Sequence, residues 1–340
     1  MESVMNIIWS FLLVCLLSIN VALAQNIGFK EVQINAGSNR PLTVTIWYPT
    51  AQTGPVSAIG ENAAFYGVEA VRNATIDIQS APVVLLSHGY RGNWTNLSWL
   101  AAALAHKGYV VAAPNHPGTT SRNHPPELAA KWWLRVKDIS RVLDYLLTDK
   151  QWKNNINHDD VSAIGHSLGG WTVMQLTGAV FDRPTFKHQC ALLPNPRICG
   201  LAGELGLKTA QDNEPVAGTL YDSRIKRVVS LDLGLARSFL PASLKTIHIP
   251  VLILAAGIDI GDLPQAKESG YLAEFIPLTL RRYKVYEQAI HFSFMQLCKP
   301  GAKALLEKAE PGDGIICHDG STSRKALHQQ MLQDILTFLH

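Results

Sequence analysis

Short continuous runs of apolar residues alternate along this chain with longer stretches in which apolar residues recur every three or four positions. Continuous runs of four to eight apolar residues are typical of strands buried on both faces of a parallel sheet. The predicted strands are Gly28–Asn35, Pro41–Tyr48, Pro82–Ser87, Tyr109–Ala113, Asp160–Gly165, Ile225–Leu231, Val251–Ala256 and Leu280–Tyr286.

Helical periodicity fills most of the intervals between these strands. The predicted helices are Leu97–Lys107, Glu127–Lys150, Gly169–Ala179, Ala266–Phe275 and Ser323–Leu339. In the longest of them, Trp132, Val136, Ile139 and Leu143 fall on one face. Strands that alternate with helices predict an α/β fold with a mostly parallel central sheet and helices on both faces.

Two segments interrupt the alternation. Thr50–Ser80 has mixed polarity and is expected to be a loop with little regular structure. Phe181–Asp222 is dense in Pro, Gly and Cys and has no long periodic run. With no internal repeat or linker, we expect one domain over residues 25–340, carrying a lid-like insertion at about 181–222 after the helix Gly169–Ala179.

The N-terminus has the pattern of a signal peptide. Ile7–Val21 is an apolar run, and Ala22-Leu23-Ala24 is an A-x-A site, which predicts removal of residues 1–24 and export as a secreted or periplasmic protein. The segment before this run, Met1–Asn6, contains Glu2 and has no Lys or Arg. A retained membrane anchor is therefore the alternative, although about 15 apolar residues are short for a span.

Without the leader, four cysteines remain, an even number that favours disulfides in an exported protein. Three pairings are open. We favour Cys190–Cys199 and Cys298–Cys317, because each pair closes a short loop rich in Pro, Gly or charged residues.

The run Gly165-His166-Ser167-Leu168-Gly169 stands between a predicted strand and a predicted helix. G-x-S-x-G in this context is typical of the nucleophile turn of α/β-hydrolases, in which a strained turn projects the serine hydroxyl from the sheet. Gly165 and Gly169 allow strand and helix to approach closely around that turn. The motif makes Ser167 the candidate nucleophile.

A serine nucleophile needs a base and an acid that orients the base, and in this fold the acid precedes the histidine in the chain. We expect the base to be His291, which follows the last predicted strand, over His318 and His328. For the acid we favour Asp259, after the strand Val251–Ala256. The alternatives are Asp232, at the end of the preceding strand, and, as a poorer choice, Asp262.

Acyl transfer also needs hydrogen-bond donors for the developing oxyanion. One predicted donor is the backbone N–H of Leu168, directly after the nucleophile. The other is the N–H of Tyr90, in the H-G-x-x-G segment His88–Gly92 that follows the strand Pro82–Ser87.

Charge and motifs exclude several classes of function. The chain has 30 Lys and Arg against 27 Asp and Glu, and its basic residues are scattered, which gives no sign of nucleic-acid binding. No cluster has the spacing of a metal site, and no glycine-rich phosphate or dinucleotide loop occurs. We expect no cofactor and no metal.

Six segments resemble the secreted "predicted dienelactone hydrolase" branch of the α/β-hydrolases, which is related to platelet-activating-factor acetylhydrolases and bacterial polyesterases. They are Ile46–Pro49, Leu86–Asn93, Gly108–Gly118, Gly165–Gly170, Ile249–Ala256 and the H-F-S-F segment from His291. Dienelactone hydrolases use a cysteine nucleophile where this chain has Ser167. The acetylhydrolase pattern places the acid at Asp232, whereas the dienelactone hydrolase and polyesterase pattern places it at Asp259.

These observations predict an exported serine hydrolase that cleaves carboxylic esters of small-molecule or lipid-like character through an acyl-enzyme. A lipase or phospholipase acting on short acyl chains, with transient contact at a membrane surface, is one alternative. An acyltransferase and a non-catalytic binding protein on a hydrolase scaffold are two others.

Overall fold

The computed structural model describes residues 26–207, 220–261 and 264–340, so the predicted leader and Asp262 lie outside the described residues. The strands in these ranges are β1 (Asn26–Ile34), β2 (Leu42–Thr50), β3 (Val56–Ile59), β4 (Val68–Arg72), β5 (Ala81–Ser87), β6 (Val110–Pro114), β7 (Ile156–His166), β8 (Arg227–Leu231), β9 (Val251–Ala256) and β10 (Arg281–Tyr286). The α-helices are α1 (Ser98–Ala105), α2 (Pro126–Ala129), α3 (Leu134–Thr148), α4 (Leu168–Leu176), α5 (Arg183–Leu192), α6 (Pro241–Lys245), α7 (Ser269–Phe275), α8 (Ala302–Ala309) and α9 (Arg324–Leu339).

All described strands form a single sheet in the order β10-β9-β8-β7-β5-β6-β2-β1-β4-β3. The six strands from β10 to β6 are parallel to their neighbours, and β2 joins them antiparallel through β6. The carboxyl ends of the parallel strands therefore meet along one edge, where ligand sites of such sheets lie.

Apolar residues cover both faces of the sheet, as the continuous apolar strands predict. In β5, Val83 and Leu85 join the core cluster that contains Trp132 and Trp171 of the α3 and α4 side. Val84 and Leu86 join the opposite cluster, with the apolar residues of α1 and α9. This two-layer covering confirms the predicted α/β architecture.

The structure differs from the sequence prediction at the edge of the sheet. The segment predicted as the loop Thr50–Ser80 contains the two short strands β3 and β4. They pair antiparallel with each other, and β4 joins β1 through only two residue pairs. Strands of four and five residues carry too little alternation for a sequence pattern to mark them.

The helix predicted over Glu127–Lys150 is also interrupted. Between α2 and α3 the backbone hydrogen bonds span three residues, as from Trp132 N–H to Ala129 O, so the helix tightens before it resumes at Leu134. The insertion contains a regular element as well, because α5 begins at Arg183 with the Asp182 carboxylate capping the Thr185 N–H at 2.8 Å.

Both favoured disulfides are confirmed. Cys190 is bonded to Cys199 within the insertion, and Cys298 is bonded to Cys317 after the predicted base. Across the described ranges, no helix combines the length and the apolar character needed to cross a bilayer.

Candidate active site

Ser167 lies on a strained turn between β7 and α4. Its φ of 57° and ψ of −121° fall in a region that L-residues rarely occupy. A methyl group on Gly165 would collide with the carbonyl of Gly169, and one on Gly169 would collide with the carbonyl of Ser87. The two glycines of the motif are therefore required by close backbone contacts around the serine.

The register of the parallel strands decides which acidic residue lies beside the serine. His166 of β7 is paired with Leu231 of β8, so the next residues, Ser167 and Asp232, leave the sheet side by side. The Asp232 carboxylate is anchored there, because its Oδ1 accepts a hydrogen bond from the Ala256 N–H at 2.8 Å.

His291 meets Asp232 across this edge. Its Nδ1 lies 2.6 Å from Asp232 Oδ2, and the two side chains are only 14% and 10% exposed. A hydrogen bond from Nδ1 to a carboxylate fixes the imidazole tautomer and leaves Nε2 available as a proton acceptor. Ser167 and His291 line the same cavity.

The favoured acid of the sequence analysis, Asp259, stands three residues beyond the end of β9, which is two strands away from β7. It lines the cavity, and its Oδ1 accepts from the Gly261 N–H of its own loop at 2.8 Å. The geometry therefore brings the alternative, Asp232, to the imidazole, with Asp259 at the wall of the cavity.

The other candidate histidines lie elsewhere. His328 is buried beneath the base-bearing loop, with its Nε2 3.0 Å from the carbonyl of Ser293 and its ring stacked on Trp99. Burial lowers the pKa of His328 to about 3, so it stays neutral. His318 is exposed, and neither residue lines the cavities that contain Ser167.

His166 supports His291, the candidate base, from behind. Its Nε2 donates a hydrogen bond to the carbonyl oxygen of His291 at 2.9 Å, and the two rings are 4.7 Å apart. Burial, reinforced by the neighbouring His291, keeps the pKa of His166 well below its ordinary value. A neutral His166 therefore fixes the backbone of the base without adding charge beside it.

The predicted oxyanion loop approaches the serine closely. A methyl group on Gly89 would lie 3.2 Å from the Ser167 Cβ atom. Residues Gly89–Gly92 form a turn closed by the Gly92 N–H and the Gly89 carbonyl at 3.2 Å, which leaves the Tyr90 N–H outside the turn bond. The Leu168 N–H begins α4 and has no acceptor within that helix.

A second Ser–His–Asp cluster lies beneath this loop. His116 Nδ1 is 3.0 Å from Asp138 Oδ2, and His116 Nε2 is 3.0 Å from Ser87 Oγ. Arg135 donates to Ser87 Oγ at 3.2 Å and to the carbonyl of His88, the residue before the oxyanion loop. All of these side chains are buried, and burial lowers the pKa of His116 well below its ordinary value.

Two cavities meet at Ser167. One, of about 170 Å³, is lined largely by aliphatic side chains, and four residues of the insertion contribute to it: Arg197, Ile198, Leu201 and Leu205. The other, of about 710 Å³, is lined mainly by polar side chains. Sequence reasoning placed the insertion near the site but did not identify these four residues, and the four-residue spacing of Leu201 and Leu205 was the available signal.

Comparison with known proteins finds bacterial cutinases. Cutinase est2 of Thermobifida alba is 28% identical over 150 residues, which cover 42% of this chain and 46% of the cutinase. Cutinase 2 of Thermobifida cellulosilytica is 26% identical over 150 residues, which cover 42% of this chain and 53% of that protein. The match thus spans about half the length of these curated relatives.

Among solved structures, a ferulic acid esterase from Streptomyces cinnamoneus superposes with a TM-score of 0.62. The superposition covers 94% of this chain and 90% of that chain at 19% sequence identity, so the likeness is one of fold. Residues 83–307, about two thirds of the chain, match the model of the alpha/beta hydrolase family. This match, together with the parallel sheet, shows that the chain belongs to the alpha/beta hydrolase family.

Proposed function

We propose that this protein is an exported serine hydrolase that cleaves carboxylic esters through an acyl-enzyme. Its catalytic residues are Ser167 as nucleophile, His291 as base and Asp232 as the acid that orients the base. One observation carries the proposal: Ser167, on its strained turn, lines the same cavity as His291. The Nδ1 of His291 is in turn 2.6 Å from the carboxylate of Asp232.

In the proposed reaction, Ser167 Oγ attacks the ester carbonyl and His291 Nε2 takes the hydroxyl proton. The N–H groups of Tyr90 and Leu168 stabilise the oxyanion of the tetrahedral intermediate. As the intermediate collapses, His291 returns the proton to the departing alcohol. Water then attacks the acyl-enzyme with the same base and releases the carboxylic acid.

The names of the relatives support this reaction class. The sequence relatives are named cutinases, which match over 42% of this chain, and the structural neighbour is named a ferulic acid esterase. The polyesterase part of the sequence resemblance points the same way. The dienelactone hydrolase label receives less support, because the nucleophile here is a serine.

The test is hydrolysis of p-nitrophenyl esters from acetate to palmitate by the protein from Gln25 onward, alongside the Ser167→Ala variant. We expect turnover on short esters that the variant lacks. If the folded protein turns over none of these esters, the proposed reaction class fails and a binding role takes its place.

Export is part of the proposal. It is supported by the Ala22-Leu23-Ala24 site and by the two disulfides, which form and persist in oxidising compartments. Intact-mass measurement of the protein from an oxidising expression host should find a mature chain that begins at Gln25. A chain that retains its first 24 residues would instead favour the anchored form.

A second candidate is a phospholipase that acts on short acyl chains. The position of Asp232 at the end of β8 supports it, because the acetylhydrolase pattern of the sequence resemblance has its acid at this strand end. The two candidates are separated by acid release from three esters: phosphatidylcholines with an acetyl or a palmitoyl chain at the second glycerol carbon, and a simple alkyl acetate. A phospholipase for short acyl chains hydrolyses the acetyl phospholipid in preference to the other two.

A further inference from the structure

The two cavities beside Ser167 share five lining residues, namely Tyr90, Ser167, Arg197, His291 and Phe292. Each cavity therefore has direct access to the nucleophile and the base. An ester bound with its carbonyl carbon at Ser167 extends in two directions, one for its acyl group and one for its alcohol. The two cavities provide these two directions.

The smaller cavity suits an apolar group of limited size. Beyond the shared residues most of its lining side chains are aliphatic, among them Leu201 and Leu205 of the insertion and Leu233 and Leu235 after β8. The polar residues Asp232, Asp259, Gln265 and Glu268 complete the wall. Its volume is about 170 Å³ against about 710 Å³ for the other cavity. Burial of apolar surface is the main source of affinity that such walls offer.

The larger cavity is lined by amide and hydroxyl side chains together with aromatic rings. Asn93, Asn115 and Ser121 lie in its wall with Trp94 and Phe65. The Asn115 amide is held in one orientation, because its Oδ1 accepts from the Trp94 N–H at 3.0 Å. Aromatic faces contact the C–H surface of a sugar ring, while fixed polar groups hydrogen-bond its hydroxyls.

Charge in the larger cavity favours a neutral ligand over a phosphate group. Arg91 is paired with Glu204 at 3.1 Å, and Glu61 is paired with Lys299 at 2.8 Å. Arg197 lies over the ring of Phe292, 5.6 Å from its centroid. Arg122 and Asp313 also line this cavity, so the remaining charges in its wall are of both signs. A phosphate site needs several cations directed at the anion, whereas Arg91 and Arg197 are engaged with other protein groups.

The order of the reaction assigns the acyl group to the smaller cavity. After the alcohol leaves, the hydrolytic water must occupy the position of the alcohol oxygen beside His291, while the acyl group stays bonded to Ser167. The larger polar cavity is the better route for that water. The alcohol therefore departs through the larger cavity, and the acyl group remains in the smaller one.

We propose that the substrates are esters of a short apolar carboxylic acid with a polyhydroxyl alcohol of the size of a sugar. The acid occupies the cavity under the insertion, and the sugar occupies the polar cavity beside Trp94. This inference rests on the proposed ester hydrolysis and adds the substrate class to it.

The first experiment compares three butyrate esters on the wild-type protein, with release of acid followed at constant pH. The esters are glucose 6-butyrate, methyl butyrate and dibutyryl phosphatidylcholine. One or two net hydrogen bonds to the sugar should give glucose 6-butyrate about a tenfold higher kcat/KM than methyl butyrate. Equal values for these two esters, or a preference for the phospholipid, would overturn the sugar assignment.

Two variants then separate the cavities. Ser121→Trp fills the polar cavity and should abolish the preference for the glucose ester over the methyl ester. Leu201→Trp fills the apolar cavity. It should lower kcat/KM for the longer p-nitrophenyl esters about tenfold relative to the acetate. Leu278→Trp, at a residue that is 76% exposed and lines neither cavity, is the matched control for the added indole.

The outcomes distinguish this inference from the proposed function. Loss of all ester turnover in Ser167→Ala with no effect of Ser121→Trp on the glucose-to-methyl ratio would leave the esterase in place and refute the sugar assignment. Reversed effects of the two variants would refute the assignment of acyl group and alcohol. Turnover of every ester by Ser167→Ala would refute the proposed function itself.

Discussion

Two Ser–His–Asp clusters lie at the carboxyl ends of neighbouring strands of the same sheet. One is Ser167–His291–Asp232, whose serine and aspartate follow β7 and β8. The other is Ser87–His116–Asp138, in which Ser87 ends β5, His116 follows β6 and Asp138 belongs to α3. The Nδ1-to-carboxylate distances are 2.6 Å and 3.0 Å. Residue types and the distance from imidazole to carboxylate therefore do not distinguish the candidate catalytic cluster from the buried one.

Their surroundings distinguish them. The imidazole and carboxylate of the first cluster are 14% and 10% exposed beside a cavity, whereas those of the second are fully buried. In the second cluster the serine oxygen also accepts from the buried Arg135, and neither Ser87 nor His116 lines the two cavities. A nucleophile needs space for a substrate, and a base needs a nitrogen directed into that space.

The largest difference between the clusters is expected when each serine hydroxyl is removed in turn. Ser167→Ala should lower kcat on p-nitrophenyl butyrate by about 10⁴-fold or more, because the acyl-enzyme cannot form. Ser87→Ala should keep kcat within about tenfold and lower the free energy of unfolding by about 1–3 kcal/mol, because a buried Arg135 donor and His116 Nε2 lose their partner. Initial-rate kinetics measure the change in kcat, and urea unfolding measures the change in stability. A larger kinetic loss in Ser87→Ala would reverse the roles of the clusters.

The proposed acid, Asp232 of the cluster beside the cavity, gives the next largest effect. Asp232→Asn should lower kcat/KM by about 10³-fold, since an amide in place of the carboxylate no longer holds the imidazole in the reactive tautomer. The matched variant is Asp259→Asn, which alters a carboxylate that lines the cavity but is hydrogen-bonded within its own loop. It should lower kcat/KM much less than Asp232→Asn does. If Asp259→Asn has the larger effect in the same assay, Asp259 is the acid and the pairing with Asp232 is secondary.

In the buried cluster, the corresponding change should affect stability. Asp138 accepts hydrogen bonds from Arg40 at 2.8 Å and 2.6 Å while it also faces His116. Asp138→Asn should lower the free energy of unfolding by about 3 kcal/mol, because it breaks a buried ion pair and leaves a cation without its partner. Urea unfolding followed by tryptophan fluorescence measures the loss.

The control for this prediction is Asp160→Asn. Asp160 is paired with Arg227 at 2.7 Å, but its side chain is 36% exposed, so the change should cost less than about 1 kcal/mol. Equal losses in the two variants would show that burial does not set the strength of the Asp138 interactions.

Features that depend on local backbone contacts could be predicted from the sequence, whereas features that depend on the register of the sheet could not. The turn around Ser167 was predictable, because close backbone contacts demand the two glycines of its motif. The choice between Asp232 and Asp259 was not, because both follow buried strands and only the register places one beside the serine. Likewise, the buried cluster combines Ser87, His116 and Asp138 from three separate segments, and no local pattern joins them.

The smallest expected effect concerns the pH dependence of stability. His88 is fully buried in the second cluster, where its Nδ1 donates to the Gly89 carbonyl at 2.7 Å and its Nε2 accepts from the His116 N–H at 3.1 Å. Burial, with the nearby Arg135 and His116, keeps the pKa of His88 well below its ordinary value. The folded protein therefore does not bind a proton at His88 as the pH falls through about 6.5, whereas the unfolded chain does.

Proton uptake by the unfolded chain alone destabilises the folded state, so the contribution of His88 is present above about pH 6.5 and is lost below it. Between pH 7.0 and pH 5.5 this loss amounts to about 1 kcal/mol for a single histidine. His88→Gln should remove that part of the pH dependence of urea unfolding, although it lowers stability at both values. His158→Gln, at an exposed residue, is the matched control. The same slope in wild type and His88→Gln would mean that His88 takes up its proton in the folded protein, which is incompatible with a neutral, fully buried His88.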